Sequence, residues 1–225
     1  MRRHTYRMTV AYDGSGFAGY QRQPNQRTVE GVLTEALRSV IPGLKRFTCG
    51  GRTDRGVHAL AQVVSFYSHT PIDKDAVCEA VDSAAPEAIV CRELREAPRW
   101  FHARFSAIGR KYIYRLHDEG AHDVEAIDSL LRNLEGRRCF SAFARDTPAG
   151  RSTVRHMFTA CARRETPDML QFNFAASGFL RRQVRIMVAT AIREAELGAT
   201  SERLAELAAE GDRRATQRAA APGGL

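Results

Sequence analysis

The chain has 225 residues, 44% of them hydrophobic, and a formal net charge of +8 at pH 7. This length fits one large or two small domains with a buried core. No stretch reaches the roughly 18 uninterrupted apolar residues of a membrane-spanning helix, and the N-terminal residues lack the apolar segment of a signal peptide. The five cysteines are scattered and form no C-x-x-C pair, which favours a reducing compartment and argues against a disulfide framework or a zinc site.

Arginine carries nearly all of the positive charge, since the only lysines are Lys45, Lys74 and Lys111. Guanidinium groups bind phosphates and stack on bases, so the charge suits a nucleic-acid partner. A GC-rich genome would also enrich arginine, whatever the function. The composition alone therefore leaves both explanations open.

The first half of the chain predicts the order strand, helix, strand, strand, helix, strand. Alternating patterns predict strands over residues 6–14, 44–51, 59–68 and 88–97. Apolar spacing predicts helices that begin after Thr28 and after Asp73, two residue types that cap helix N-termini well. Gly14, Gly16 and Gly19 have the spacing of a dinucleotide-binding loop, but no helix follows them. We therefore interpret them as turn residues.

The second half begins with a similar order. We predict a strand over residues 110–118, a helix over 122–136, a hairpin of strands 152–165 and 169–178, and a long helix over 178–198. The pattern contains no fourth strand for this half. These elements predict two similar α/β sandwiches, residues 1–97 and 98–225, each with helices packed on an antiparallel sheet.

The stretch GGRTDRGVHA, residues 50–59, places one carboxylate, Asp54, between Arg52 and Arg55 on a glycine-bounded turn. Neighbouring cations lower the pKa of a carboxyl group, so we expect Asp54 to be ionised and suited to act as a nucleophile or base. The alternative from composition alone is a structural Arg–Asp pair that caps a loop.

Two further stretches combine arginines with apolar or aromatic residues. The segment from Trp100 to Leu116 interleaves aromatic residues with arginines, as in proteins that stack on bases and bind phosphates, although alternating aromatics also fill sheet cores. On the predicted long helix, Arg181, Arg182 and Arg185 lie on neighbouring turns, with Arg181 and Arg185 on one face. These arginines either bind an anionic partner or form a solvent-exposed stripe on the helix.

Five blocks of this sequence, taken together, resemble the TruA family of tRNA pseudouridine synthases. They are YDGSGFAGYQRQP followed by RTVEGVLTEAL, GGRTDRGVHALAQVVSF, FHARFSAIGRKYIYRL, FSAF and GFLRRQVRIMV. They occur in the family's order and cover nearly the whole chain. The resemblance implies an α/β (α+β) fold of two similar ferredoxin- or RRM-like subdomains, whose antiparallel sheets join in one central sheet with helices packed on it.

The resemblance also assigns roles to residues. Asp54 corresponds to the catalytic aspartate, Tyr112 to the tyrosine that stacks on the target uracil, and Arg52 to the arginine that helps to hold the flipped-out nucleotide. Arg185 corresponds to the basic residue that pairs with the catalytic aspartate. Arg55, Arg181 and Arg182 are further candidates for RNA binding.

By this resemblance the protein isomerises uridine at tRNA positions 38, 39 and 40 in the anticodon stem-loop, as a cytoplasmic homodimer that needs no cofactor or metal. Tyr20 replaces a tryptophan that is frequent in the family. The closing strand of the family is missing, so either the chain is truncated or its sheet closes differently. Two alternatives remain. One is a catalytically inactive RNA-binding or RNA-chaperone protein on the same scaffold, and the other is a structural dimerising domain. An intact Asp54 favours catalysis, because a pure RNA binder needs no carboxylate in its site.

Overall fold

The computed structural model describes residues 3–225. The chain forms two compact units, which meet in sequence between Ile108 and Gly109. Residues 98–108, which follow the predicted boundary, belong to the first unit. In that unit the Ala103 N–H donates a hydrogen bond to Ser65 Oγ at 2.9 Å.

The first unit has the β-α-β-β-α-β order of ferredoxin-like folds. Its elements are β1 (His4–Tyr12), α1 (Val29–Val40), β2 (Lys45–Cys49), β3 (Ala59–Ser68), α2 (Lys74–Ala84) and β4 (Ile89–Ala97). The four strands form an antiparallel sheet in the order β2-β3-β1-β4. Apolar residues of the strands and of both helices, among them Met8, Leu33 and Val81, form one buried core.

The predicted helix starts of the first unit are confirmed. Thr28 Oγ1 accepts a hydrogen bond from the Gly31 N–H at 3.2 Å, and Asp73 Oδ1 accepts one from the Asp75 N–H at 3.0 Å. These side chains satisfy backbone donors that a helix leaves unpaired at its first turn.

The second unit is also a sheet with packed helices. Its elements are β5 (Arg110–His117), α3 (Val124–Arg132), β6 (Gly136–Cys139), β7 (Val154–Thr166), β8 (Met169–Ala176), α4 (Gln183–Glu196) and α5 (Arg203–Glu210). Short 3-10 turns cover Ser141–Phe143, Arg213–Ala215 and Pro222–Gly224. The sheet has the order β5-β8-β7-β6. The joining of the two sheets into one stays a prediction.

The sequence pattern contains no fourth strand for the second unit, but the sheet has one, which comes before the hairpin and not after the long helix. Strand β6 supplies it, with Gly136 opposite Met157 and Cys139 opposite Val154. The strand has only four residues, and they show no apolar alternation. Its first residue, Gly136, is predicted from sequence as the end of the preceding helix, but that helix ends at Arg132. No strand follows α4 in the described part of the chain.

The long helix also begins later than predicted. Arg182 has φ 60° and precedes the first helical residue, Gln183. Gln183 Oε1 accepts a hydrogen bond from the Leu180 N–H at 2.8 Å, which holds the preceding segment in a turn. Arg181 and Arg185 therefore do not share a helix face. Among residues 3–225, no helix is long and apolar enough to span a membrane.

Candidate active site

Asp54 lies in the loop that connects β2 to β3, which we call the Asp54 loop (residues 50–58). Asp54 is half-buried, and its carbonyl accepts a hydrogen bond from the Val57 N–H at 3.2 Å. The third residue of this turn, Gly56, has φ +75°, a conformation that favours glycine. The turn is thus defined by local sequence, as the glycine-bounded motif predicts.

The loop between β1 and α1 holds the Asp54 loop on one side. Tyr12 Oη lies 2.8 Å from Thr53 Oγ1, and the Tyr20 N–H donates to the Thr53 carbonyl at 3.1 Å. His58 Nδ1 lies 3.3 Å from the Gly14 nitrogen and 3.1 Å from an Asp13 carboxylate oxygen. The residue before Asp54 and a residue near the end of the loop are therefore both anchored to the same neighbouring loop.

Gly14 and Gly19 allow this close approach. A Cβ on Gly14 would lie 2.0 Å from the Val57 carbonyl oxygen, and one on Gly19, whose φ is +107°, would lie 3.1 Å from the Thr53 carbonyl oxygen. The interpretation of these glycines as turn residues is incomplete, because they also admit the backbone of the Asp54 loop.

The surroundings of the loop are polar on one side and apolar on the other. Arg52 and Arg55 are exposed beside Asp54. Tyr20, the residue in place of tryptophan, is only 1% exposed, and burial raises its pKa well above the usual value. Tyr20 therefore supports the loop from the core, while both arginines remain accessible to an anionic partner. The effect of the arginines on Asp54 ionisation stays a prediction.

Tyr112 lies in the second unit, on strand β5 opposite Phe174 of β8. Its half-buried ring meets the Phe179 ring edge-on, with centroids 5.0 Å apart. Tyr114, two residues on, faces the same core but is fully buried. Tyr112 is thus the more accessible of the two tyrosines.

Arg185 is the third residue of α4 and is half-buried. Its Nε donates to the Ala220 carbonyl at 2.6 Å, and its own carbonyl accepts the Ala220 N–H at 3.0 Å. The C-terminal segment, residues 212–225, runs alongside α4, since the Gln217 N–H also donates to Thr190 Oγ1 at 3.1 Å. A backbone segment 35 residues further along the chain therefore orients this guanidinium.

The other two arginines of this stretch have different surroundings. Arg181 is exposed and forms an ion pair with Asp146, with 2.9 Å between Nη1 and the carboxylate oxygen. Arg182 has the left-handed backbone that precedes α4, and its carbonyl accepts the Ile186 N–H at 3.0 Å. Their proposed contact with RNA stays a prediction.

Sequence reasoning missed the residues that hold the site residues in place. Tyr12, Thr53 and His58 anchor the Asp54 loop, and Ala220 orients Arg185. The closely spaced glycines were a signal for the first group. Ala220 acts through its backbone, so no residue type could have revealed it.

Comparison with known proteins identifies the family. A family model described as tRNA pseudouridine synthase matches residues 8–106 and 130–225. The tRNA pseudouridine synthase A of Lacticaseibacillus casei is 38% identical over 204 residues, which cover 83% of each chain. That of Geobacillus kaustophilus is 36% identical over 221 residues, or 91% of this chain and 85% of its own. That of Chloroflexus aurantiacus is 36% identical over 228 residues, or 93% and 82%.

The matched stretches contain both loops of the first-unit site and all of helix α4, whereas Tyr112 lies between them. The similarity extends over most of this chain and most of each relative. The chain belongs to the TruA family of tRNA pseudouridine synthases, which are isomerases.

Proposed function

We propose that this protein converts uridine to pseudouridine at positions 38, 39 and 40 of tRNA, in the anticodon stem-loop, with Asp54 as the catalytic nucleophile or base. The observation that carries the proposal is a half-buried carboxylate on a loop held by Tyr12, Tyr20 and His58, with exposed arginines on both sides. A loop that only needed an Arg–Asp pair would not require the close glycine contacts at its neighbour.

The isomerisation requires few chemical groups from the protein. The N1–C1′ bond of uridine breaks, the uracil rotates, and a C5–C1′ bond forms while the C5 proton leaves and N1 gains a proton. A carboxylate that attacks the nucleotide or removes a proton serves this chemistry. Asp54 is the group to which we assign that step.

The remaining candidates bind the nucleotide. The base must leave its stack before reaction, at a cost of a few kcal/mol in a duplex and less in a loop. Stacking on an aromatic ring can offset about 1–3 kcal/mol of that cost, and we assign this role to Tyr112. We propose that Arg52 helps to hold the target nucleotide and that Arg185 pairs with the catalytic carboxylate. We assign Arg55, Arg181 and Arg182 to phosphates elsewhere in the RNA.

We also propose that the protein acts in the cytoplasm as a homodimer in which one tRNA contacts both subunits. The arginine-rich composition supports a large anionic substrate. Sedimentation of the protein with and without tRNA measures this stoichiometry directly.

The test is pseudouridine mapping on tRNA transcripts that carry uridine singly at position 38, 39 or 40, with a fourth transcript that has none. We expect modification of the three transcripts and none of the fourth. Tight binding of all four without any pseudouridine would favour the inactive RNA-binding alternative. Modification outside the anticodon arm would contradict the site specificity.

A further inference from the structure

A second cationic cavity lies in the first unit, at the end of β1 away from the Asp54 loop. Its volume is about 160 Å³, and its lining includes Arg3, Arg46, Arg99, Tyr67 and Trp100. Thr5, near the start of β1, pairs with Tyr67 and also lines this cavity, whereas Tyr12 at the other end contacts the Asp54 loop. At about 3.3 Å per residue, Thr5 and Tyr12 are roughly 20 Å apart along β1, while Thr48, another lining residue, lies on β2 just before the Asp54 loop.

The charge of the cavity is unbalanced. None of its described lining residues carries a carboxylate. Arg3 Nε donates to Thr5 Oγ1 at 3.2 Å, and its guanidinium lies 4.3 Å from the centre of the Tyr67 ring. Within residues 3–225, the Arg46 and Arg99 side chains form no ion pair or hydrogen bond, and both are exposed. Three guanidinium groups around one cavity repel each other unless an anion joins them.

The backbone at Arg46 is unusual for a strand residue. Its φ is 47°, in the left-handed region that favours glycine. The pairing of β2 with β3 is irregular between Lys45 and Thr48, which brackets this residue. Such bulges re-aim a side chain within a sheet and are frequent beside functional sites. Here the irregularity accompanies an arginine that lines the cavity.

The cavity also has an aromatic wall. The Trp100 side chain is 75% exposed although it is the largest apolar residue type, and the half-buried Phe101 and His102 follow it in the lining. A volume near 160 Å³ accommodates a group of about the size of benzene. Guanidinium groups beside an open aromatic face are the combination that binds a phosphodiester and an adjacent base.

From these features we infer that the cavity is a second RNA-contact site, in which Arg3, Arg46 and Arg99 bind backbone phosphates of the tRNA and Trp100 stacks on a neighbouring base. The inference rests on the proposed function, since it takes the substrate to be tRNA. It adds a contact to a part of the tRNA other than the target uridine.

The test is equilibrium binding of a tRNA transcript over a range of salt concentrations. We compare the wild type with Trp100→Ala and with the double variant Arg46→Gly/Arg99→Ala. Glycine suits the backbone at position 46, so this change removes the guanidinium without adding strain. Arg46→Lys keeps the charge. Arg38→Ala, an exposed arginine in the last turn of α1, is the matched control.

We expect the double variant to bind tRNA about tenfold more weakly at 0.1 M salt and to lower the log–log salt slope by roughly one to two. Trp100→Ala should weaken binding several-fold with little change of slope, because it removes stacking and no charge. Arg46→Lys should keep the wild-type slope, and Arg38→Ala should stay within twofold of the wild type.

Several outcomes would overturn the inference. The first is that the double variant binds tRNA as tightly as the wild type, and the second is that the wild type does not bind tRNA. The third is that the double variant loses affinity for uridine monophosphate but not for tRNA. The fourth is that the double variant changes its oligomeric state while its affinity for tRNA stays the same. Pseudouridine formation by the wild type is measured in parallel. If the wild type modifies tRNA while the variants bind normally, only the second site fails. If the variants bind weakly while the wild type modifies nothing, only the proposed function fails.

Discussion

The Asp54 loop and the arginine stretch at the start of α4 (Arg181, Arg182 and Arg185) differ in what holds their charged residues in place. The Asp54 loop contains one turn, from Asp54 to Val57, and the neighbouring loop contacts the Asp54 loop at Thr53, Val57 and His58. In the arginine stretch, Arg181 pairs with Asp146, whereas Arg185 donates to the Ala220 carbonyl.

This difference shows which kind of site residue a short motif can reveal. The turn at Asp54 follows from residues within a few positions of it, and the glycines of the neighbouring loop signal the close contact with that turn. Three arginines that look equivalent in sequence have three different surroundings, because distant segments decide them. The following predictions use matched pairs of variants to test each half of this comparison.

The largest effect on stability should come from the glycine that admits the Asp54 loop. A Cβ at position 14 would lie 2.0 Å from the Val57 carbonyl oxygen, but one at position 16 would be 3.5 Å from the flexible end of Arg27. Gly14→Ala should destabilise the fold by about 3 kcal/mol, which lowers the thermal midpoint by about 6–12 °C. Gly16→Ala should melt like the wild type. Equal midpoints in calorimetry would show that the two loops do not need this contact.

The second effect separates two arginines of the α4 stretch. Arg185→Ala removes a guanidinium that is half-buried and hydrogen-bonded to Ala220, and we expect about a 30-fold lower single-turnover rate, or ~2 kcal/mol. Arg181→Ala breaks only an exposed ion pair, which is worth at most about 1 kcal/mol, so the rate should change less than about fivefold. Equal losses in the two variants would contradict the distinction.

A smaller effect should come from the C-terminal segment that orients Arg185. A Cβ at Gly224 would lie 2.5 Å from the Arg115 carbonyl oxygen and 2.6 Å from the Tyr114 ring, whereas a Cβ at Gly223 would meet nothing within 4 Å. Gly224→Ala should cost about 1 kcal/mol and increase hydrogen exchange at Gln217 and Ala220. Gly223→Ala should leave exchange at both positions unchanged, and protection that is the same in both variants would argue against this packing.

An effect that appears only in acid concerns the stability of the second unit. Asp118 is buried; although burial raises its pKa, hydrogen bonds from His122 and Arg164 outweigh this and lower it to about 2. Ionised Asp118 thus stabilises the fold above the unfolded-state pKa near 4, and this contribution is lost as the pH falls towards 2. Thermal midpoints between pH 5 and 2 should therefore fall more steeply for the wild type than for Asp118→Asn. Parallel curves would contradict this assignment.

Sequence patterns predicted much of the fold because most elements have strong local signals. The strand over residues 59–68 agrees with the structure at both ends, and the N-caps Thr28 and Asp73 are confirmed. Strand β6 was missed because pairing with β7 defines it, and its four residues carry no pattern of their own. The start of α4 was placed too early because a left-handed Arg182, which no residue type indicates, precedes it.

The central claim is that Asp54 carries the chemistry, and single-turnover pseudouridine formation by Asp54→Asn tests it most directly. This variant keeps the size of the side chain and removes its charge, and Glu35→Gln makes the same change at an exposed position of α1. We predict that Asp54→Asn loses about a thousandfold or more of the rate, while tRNA affinity and thermal midpoint stay close to those of Glu35→Gln and the wild type. A rate within tenfold of the wild type would contradict the assignment of Asp54 as the catalytic group.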